Sequence, residues 1–179
     1  MAAVLSNDHL VRVLDVNREG ETHYIVMEYV AGESAGTYMK RVKAGGRAAL
    51  DEAEAVAIVA AATRGLAVAH GRGVIHRDVK PDNILIPWAE PGVRLDFAKS
   101  KLSDLGLAKP EGGAQSLGTM SHVAMGTPGY MAPEQAEDAK TAGPPADIFA
   151  MGATLYALLS GRAPFAASSL ATALRDTAL

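Results

Sequence analysis

The residues with the clearest chemical potential form one short run, His76-Arg77-Asp78-Val79-Lys80-Pro81-Asp82-Asn83. It places a carboxylate (Asp78), an ammonium (Lys80) and an amide (Asn83) at positions i, i+2 and i+5 of a predicted tight loop. A carboxylate can orient an attacking hydroxyl, an ammonium can balance phosphate charge, and an amide oxygen can bind a hard cation. The trio therefore suits phosphoryl transfer. Taken by itself, Asp78 between Arg and Lys is equally consistent with a surface ion pair.

The composition limits the class of protein that carries this loop. The chain has 179 residues, 49% hydrophobic and 21% charged, which indicates one globular domain. Its net charge of −3 argues against a nucleic-acid partner, and the absence of cysteine excludes disulfides, thiol nucleophiles and cysteine-based zinc sites. The N-terminus lacks the features of a signal peptide, and the apolar run 148–159 is too short to span a bilayer. We therefore expect a soluble cytoplasmic protein with no membrane segment in this chain.

The elements that must position the loop follow from periodicity and from turn residues. Asp51 and Glu54 have the spacing of a capping box and predict the start of a long helix, which Gly71 and Gly73 end. The predicted strands are 10–16 and 22–30, which form a hairpin, and 84–86 and 93–97. The predicted helices are 34–43, 52–70, a short helix that begins at Pro133 and a buried helix at 146–159. The predicted loops are 87–92 and 110–125. Strands followed mainly by helices indicate an α+β fold.

Three further motifs follow the loop in order, Asp104-Leu105-Gly106, Gly126-Thr127-Pro128-Gly129-Tyr130-Met131-Ala132-Pro133-Glu134 and Asp147-Ile148-Phe149-Ala150-Met151-Gly152. With these motifs, nearly the whole chain resembles the Hanks-type serine/threonine protein kinases, and its motif residues are most similar to those of the bacterial branch. The resemblance implies a protein-kinase-like fold, ATP and Mg²⁺ as cofactors, and protein substrates that accept phosphate on Ser or Thr. Small-molecule phosphotransferases of related fold fit less well, because the segment from Gly126 to Glu134 that positions a peptide is complete.

The resemblance also implies roles for single residues. Asp78 would be the catalytic base, and Lys80 would touch the γ-phosphate. Thr127 would contact both Asp78 and Lys80. Asn83 and Asp104 would hold Mg²⁺. The remaining implied sites are the adenine contacts Met27, Glu28, Val30 and Leu85, the structural or regulatory residues His76, Arg77, Glu134 and Asp147, and the candidate phosphosites Thr119 and Ser121, with Ser116 weaker.

Structural roles are also predicted for Met27 and for the histidines outside the loop. Met27 is expected to be a core methionine as well as the residue that guards the rear of the adenine pocket. The histidines outside the loop are expected to be surface or packing residues rather than metal ligands; they are His9, His23, His70 and His122.

The chain also departs from the family pattern. The glycine-rich loop, the lysine strand and the helix with the glutamate partner of that lysine are missing from the sequence. We therefore expect a truncated kinase fold, with residues 1–30 as the remnant of the small lobe and hinge and 31–179 as part of the large lobe. Glu134 would lack its family partner, an arginine from a later region, and would be a buried unpaired carboxylate. The stretch from Ile84 to Ser103 is longer than usual and predicts an enlarged hairpin.

Two hypotheses about function remain open at this point. The first is a serine/threonine kinase domain with weak or no activity as an isolated chain. The alternative is a truncated pseudokinase that acts as a binding or scaffold module. The intact set of Asp78, Lys80, Asn83 and Asp104 favours the first.

Overall fold

A computed structural model describes residues 6–105, 126–138 and 142–165. Its elements are β1 (Val13–Glu19), β2 (Thr22–Met27), β3 (Gly32–Ser34), α1 (Ala35–Ala44), α2 (Glu52–His70), β4 (Ile84–Glu90), β5 (Arg94–Leu95), β6 (Lys101–Leu102), α3 (Pro133–Glu137) and α4 (Pro144–Ser160), with 3₁₀ turns at Pro81–Asn83 and Phe97–Lys99. The mixture of short antiparallel sheets and helices agrees with the predicted α+β class. The predicted loop 110–125, the phosphosites Thr119 and Ser121, and Ser116 and His122 lie outside the described residues.

Strands β1 and β2 form the predicted hairpin as a separate two-stranded antiparallel sheet. Gly20 takes a positive φ of 59° in the connection, where a residue with a Cβ would be strained. The hairpin begins later than predicted, because Leu10 is fully buried and bridges to Leu102 of β6 instead of extending β1. Met27 is 40% exposed, so the prediction that it is a core methionine was wrong.

The second sheet has β4 at its centre, paired antiparallel with β3, β5 and β6. The prediction that the chain leaves the sheet after Ile86 was wrong, because β4 continues through Pro87 to Glu90. A proline lacks only the N–H donor, and the carbonyl of Pro87 still accepts the N–H of Asp96 at 2.8 Å. The predicted strand 93–97 is shorter, with β5 restricted to Arg94 and Leu95 and a 3₁₀ turn after it. Together these elements form the enlarged hairpin that the long spacing indicated.

Helix α2 is the long central helix and has the predicted bounds. Its capping box is formed, and Glu54 Oε2 accepts the backbone N–H of Asp51 at 2.9 Å. Gly65 is required where the chain crosses the helix, because a Cβ there would lie 2.3 Å from the carbonyl oxygen of His9. The buried residues of α2 are mostly small, and α2 packs against α4 and β6.

Among the described residues, α2 alone has the length and apolar composition of a membrane-spanning helix. Those properties are weak evidence for a membrane segment, since the core helix of a globular fold shares them. Here Ile58 and Leu66 of α2 lie in the main hydrophobic cluster, together with Ile84 and Leu102 from the sheet and Leu158 from α4.

Helix α4 closes the core beside the loop formed by residues 76–83. It begins at Pro144, earlier than predicted, with proline at a position where the missing N–H costs nothing. It ends at Gly161, whose φ of 74° allows its N–H to donate to the carbonyl of Ala157 at 2.8 Å. Asp147, in the first turn, is 1% exposed and faces the loop that contains His76 and Arg77.

Candidate active site

The loop that follows α2 is held in place by one buried carboxylate. Asp147 accepts the backbone N–H of His76 on Oδ2 at 2.8 Å and that of Arg77 on Oδ1 at 2.7 Å. Hydrogen bonds between a carboxylate and backbone amides are strong, and these two fix the backbone immediately before Asp78. Arg77 has a positive φ of 66°, a conformation that an L-residue rarely adopts without such support. The structural role expected of Asp147 agrees with this geometry.

His70 is a third donor to the same carboxylate, and the sequence reasoning missed it. Its Nε2 lies 2.7 Å from Asp147 Oδ2, and its side chain is 15% exposed. His70 is partly buried, as expected of a packing residue, but its hydrogen bond to Asp147 was not predicted. Its position in the last turn of α2, shortly before the loop, was the available signal, but its partner is 77 residues away in the chain.

His76 supports the loop from inside the core. Its Nε2 lies 2.8 Å from the carbonyl oxygen of Ser103, and its Nδ1 accepts the backbone N–H of Asp78 at 3.2 Å. An Nδ1 that accepts carries no proton, so Nε2 bears the hydrogen and the ring is neutral. Burial lowers the pKa of His76 below its ordinary value, although the bond to Ser103 and the charges of Asp147 and Asp78 oppose that shift.

Asp78, Lys80 and Thr127 form a closed ring of hydrogen bonds. Lys80 Nζ donates to Asp78 Oδ2 at 2.9 Å and to Thr127 Oγ1 at 2.6 Å. The Thr127 hydroxyl in turn donates to Asp78 Oδ1 at 2.7 Å. The Asp78 side chain is 31% exposed, so the carboxylate stays accessible to a substrate while its orientation is defined. The structure therefore brings together the three residues that the sequence predicted to act together.

Asn83 and Asp104 lie at neighbouring ends of two paired strands. Asn83 directly precedes β4, Asp104 follows β6, and Ile84 pairs with Leu102. Ser103 joins the two ends, because its N–H and its hydroxyl both donate to the carbonyl of Asn83, at 2.9 and 3.1 Å. Ser103 is a second residue that the sequence reasoning did not assign.

The donor set of Asn83 and Asp104 fits Mg²⁺. The Asn83 amide nitrogen donates to the carbonyl and the carboxylate of Asp78, at 2.8 and 3.2 Å, which directs the amide oxygen away from Asp78. One amide oxygen and one carboxylate are hard oxygen ligands, and Mg²⁺ takes few protein ligands when a phosphate supplies the others. In the described residues, no group of three or more His, Cys, Asp or Glu side chains has an arrangement that could hold a metal ion, so a different, all-protein metal site is not indicated there.

The predicted adenine contacts lie between the hairpin and the sheet. The N–H of Glu28 donates to the carbonyl of Arg12 at 2.9 Å, whereas the described part of the chain offers no hydrogen-bond partner to the N–H of Val30. Leu85 is half-buried in β4, opposite Ser34 of β3 and Lys101 of β6. Met27 is more exposed than a residue at the rear of a closed pocket would be.

Arg77 contacts the residue that follows the peptide-positioning segment, whose last residue is Glu134. Gln135 Nε2 donates to the carbonyl of Arg77. Gly126 has a φ of 131°, at which a residue with a Cβ would be strained, so glycine is favoured there. The Nε of Arg77 is buried without a hydrogen-bond partner among the described residues. Glu134 is exposed, so the prediction of a buried unpaired carboxylate was wrong and the associated desolvation cost does not apply.

Comparisons with known proteins agree with this arrangement. The family model for the protein kinase domain matches residues 1–178. The chain is similar to a probable serine/threonine-protein kinase of Clostridium perfringens, with 37% identity over 176 residues, which are 95% of this chain and 22% of that protein. It is also similar to two serine/threonine-protein kinases of Mycobacterium tuberculosis. The identity is 36% over 93% of this chain for PknL and 38% over 88% of this chain for PknA.

These similarities cover nearly all of this chain but a smaller part of each relative. The chain spans 38% of the length of PknL and 33% of the length of PknA. The matched residues 1–178 include all four motifs that the sequence presents in order. Hydrogen bonds join Thr127 to Asp78, and Asp147 to His76 and Arg77. On the family model and on these identities, the chain belongs to the protein kinase domain family.

Proposed function

We propose that this chain is a serine/threonine protein kinase domain that transfers the γ-phosphate of ATP to Ser or Thr hydroxyls of protein substrates. The observation that carries the proposal is the ring of Asp78, Lys80 and Thr127, in which each member contacts the other two. A pseudokinase used as a scaffold would not need this ring. Its completeness favours the enzyme over the binding module.

Each member of the ring has a distinct task in this proposal. Asp78 accepts the proton of the substrate hydroxyl as the hydroxyl oxygen forms a bond to the γ-phosphorus. The bond between that phosphorus and the oxygen bridging to the β-phosphate breaks, and ADP leaves. Lys80 offers its ammonium to the charge on the transferred group, and Thr127 keeps Lys80 and Asp78 at a fixed separation.

Asn83 and Asp104 would hold Mg²⁺, which when bound supplies positive charge to the phosphate oxygens. Asn83 also acts on Asp78 directly, because its amide nitrogen donates to the carboxylate at 3.2 Å and to the carbonyl at 2.8 Å. The adenine would lie against Leu85 and bind the backbone at Glu28 and Val30. Arg77, with its buried Nε, would pair with a phosphate placed on Thr119 or Ser121.

The test is phosphate transfer from ATP in the presence of Mg²⁺ to three peptides that differ only in a Ser, Thr or Tyr acceptor. Mass spectrometry over hours detects slow transfer, which is what we expect for this chain. Ser and Thr peptides should be modified and the Tyr peptide should not. Asp78→Asn should reduce the rate by roughly 10²- to 10⁴-fold, since an amide cannot accept the proton.

The matched control is Asp96→Asn, which removes an exposed ion pair with Lys99 outside the site. It should leave the rate unchanged. Transfer that survives Asp78→Asn, or an unmodified chain with no transfer that depends on Asp78, would overturn the proposed function.

A further inference from the structure

The hairpin 13–27 and the adjoining hinge residue Glu28 have one polar side-chain connection to the rest of the described chain. Lys101 Nζ lies 2.6 Å from Glu28 Oε1, and both side chains are 22% exposed. The other hydrogen bonds of residues 12–28 that the described part of the chain forms stay within the hairpin or join Arg12 to Glu28. The backbone on either side is anchored as well, because the N–H of Val11 donates to the carbonyl of Leu102 at 2.9 Å and the carbonyl of Ala31 accepts the N–H of Trp88 at 2.8 Å. Between these two anchors, the ion pair is the side-chain contact that positions Glu28.

The two partners belong to the two halves of the proposed nucleotide site. Glu28 follows β2 and is one of the predicted adenine contacts. Lys101 begins β6, three residues before the predicted metal ligand Asp104. Because β6 is only two residues long, a displacement of Lys101 would be transmitted to Asp104 over a short length of backbone.

The environment of Glu28 favours a charged, ordered pair. Its Oε1 also accepts the backbone N–H of Arg12 at 3.0 Å, so the carboxylate is held from two sides. Burial alone would raise the pKa of Glu28, but the bonds from Lys101 and Arg12 and the charge of Lys101 hold it below the ordinary value. Lys101 itself lies in a strand that pairs with β4 and is followed by the fully buried Leu102.

We infer that Glu28 and Lys101 form a positioning pair that couples adenine binding at the hinge to metal–phosphate binding at Asp104. The inference rests on the proposed function, since it assigns the nucleotide to this site. A ligand that contacts both halves binds more tightly when their separation is fixed, whereas the affinity of a ligand that contacts the hinge alone does not depend on that separation. The pair should therefore affect Mg·ADP more than adenosine.

The experiment is calorimetric titration of the 179-residue chain with adenosine and with Mg·ADP. Lys101→Met keeps the aliphatic stem and removes the ammonium, and Glu28→Gln keeps an acceptor for Arg12 and removes the charge. Each variant should lower the affinity for Mg·ADP roughly fivefold and change the affinity for adenosine less than about twofold. The double variant should be no weaker than either single variant, because both remove the same interaction.

The matched control is Lys99→Met, since Lys99 is 76% exposed and its ion pair with Asp96 is longer, at 3.5 Å. It should change neither affinity. Equal losses for adenosine and Mg·ADP, or losses that multiply in the double variant, would overturn the positioning pair and leave the proposed function standing. An unmodified chain that binds neither compound would overturn both.

Discussion

Thr127 connects the chemistry of the site because one hydroxyl serves two partners. It accepts from Lys80 and donates to Asp78, so it bridges an ammonium and a carboxylate that also pair directly with each other. A Ser keeps this hydroxyl and an Ala does not. The comparison of these two substitutions isolates the contribution of the ring from that of packing.

We expect Thr127→Ala to lower the rate of transfer to a Ser peptide by about 10- to 100-fold, since Asp78 and Lys80 lose their common partner. Thr127→Ser should stay within about threefold of the unmodified chain. The affinity for Mg·ADP should be similar in both variants, because Thr127 is not among the nucleotide contacts. Steady-state kinetics with one peptide gives the comparison, and equal rates for Ala and Ser at position 127 would exclude the role of the ring.

His76 makes stability depend on pH. Its pKa is below the ordinary value of 6.5 in the native chain, so the unfolded chain binds a proton at a higher pH than the native chain does. Lowering the pH from about 7 to about 5.5 therefore favours unfolding, and the free energy of unfolding should fall over that interval. His76→Gln cannot titrate and should flatten the dependence.

Urea unfolding at a series of pH values measures this dependence. Should His76→Gln fail to fold, an NMR titration of the unmodified chain measures the same group directly. If His76→Gln leaves the pH dependence of the free energy of unfolding unchanged, or if the His76 ring titrates at or above the ordinary value, the lowered pKa of His76 is contradicted.

At the scale of elements, α4 combines a functional end and a structural interior. Its first turn presents Asp147 to the catalytic loop, and its middle lies in the core. Thr154 is fully buried in this helix, and its hydroxyl has no hydrogen-bond partner among the described residues. A buried polar group without a partner costs free energy that an apolar group of the same shape would not.

Thr154→Val replaces the hydroxyl with a methyl group of similar size. We expect it to raise the free energy of unfolding by about 1 kcal/mol, because the desolvated hydroxyl is removed without leaving a cavity. Thr154→Ser is the matched control, since it keeps the hydroxyl, removes the methyl group and should destabilise the chain. Urea unfolding compares the three proteins, and a Val variant less stable than the original would show that the hydroxyl has a partner.

At the scale of the whole molecule, stability is expected to be uneven. The main hydrophobic cluster joins α1, α2, α4 and the second sheet, whereas the β1–β2 hairpin exposes Leu14, Val16, Tyr24 and Val26 by 40–54%. An isolated two-stranded hairpin is at best marginally stable in water. The hairpin should therefore open without unfolding the core.

Hydrogen exchange followed by mass spectrometry tests this difference. Peptides that cover residues 13–27 should exchange at least roughly tenfold faster than peptides from α2 or α4. If the nucleotide binds at the hinge as proposed, saturating Mg·ADP should slow exchange in the hairpin more than in α2. Equal protection of the hairpin and α2 in the free chain would show that the hairpin is part of the cooperative core.

The sequence by itself determined the family, the catalytic loop and the bounds of α2. These depend on local information: motif spacing, a capping box formed by residues three apart, and glycines that end a helix. The contacts of Thr127 with Asp78 and Lys80 were also within reach, because the family motif assigns Thr127 a position relative to those two residues. Such features can be predicted without knowing which residues pack against them.

The tertiary structure alone decided which distant groups meet. The length of β4 beyond Pro87, the exposure of Met27 and Glu134, and the contact of His70 with Asp147 all depend on partners far away in the chain. The pair of Glu28 and Lys101, 73 residues apart, is the clearest case. Neither residue type indicates a partner, because charged side chains are ordinarily solvated and only the packing of the chain brings these two within 2.6 Å.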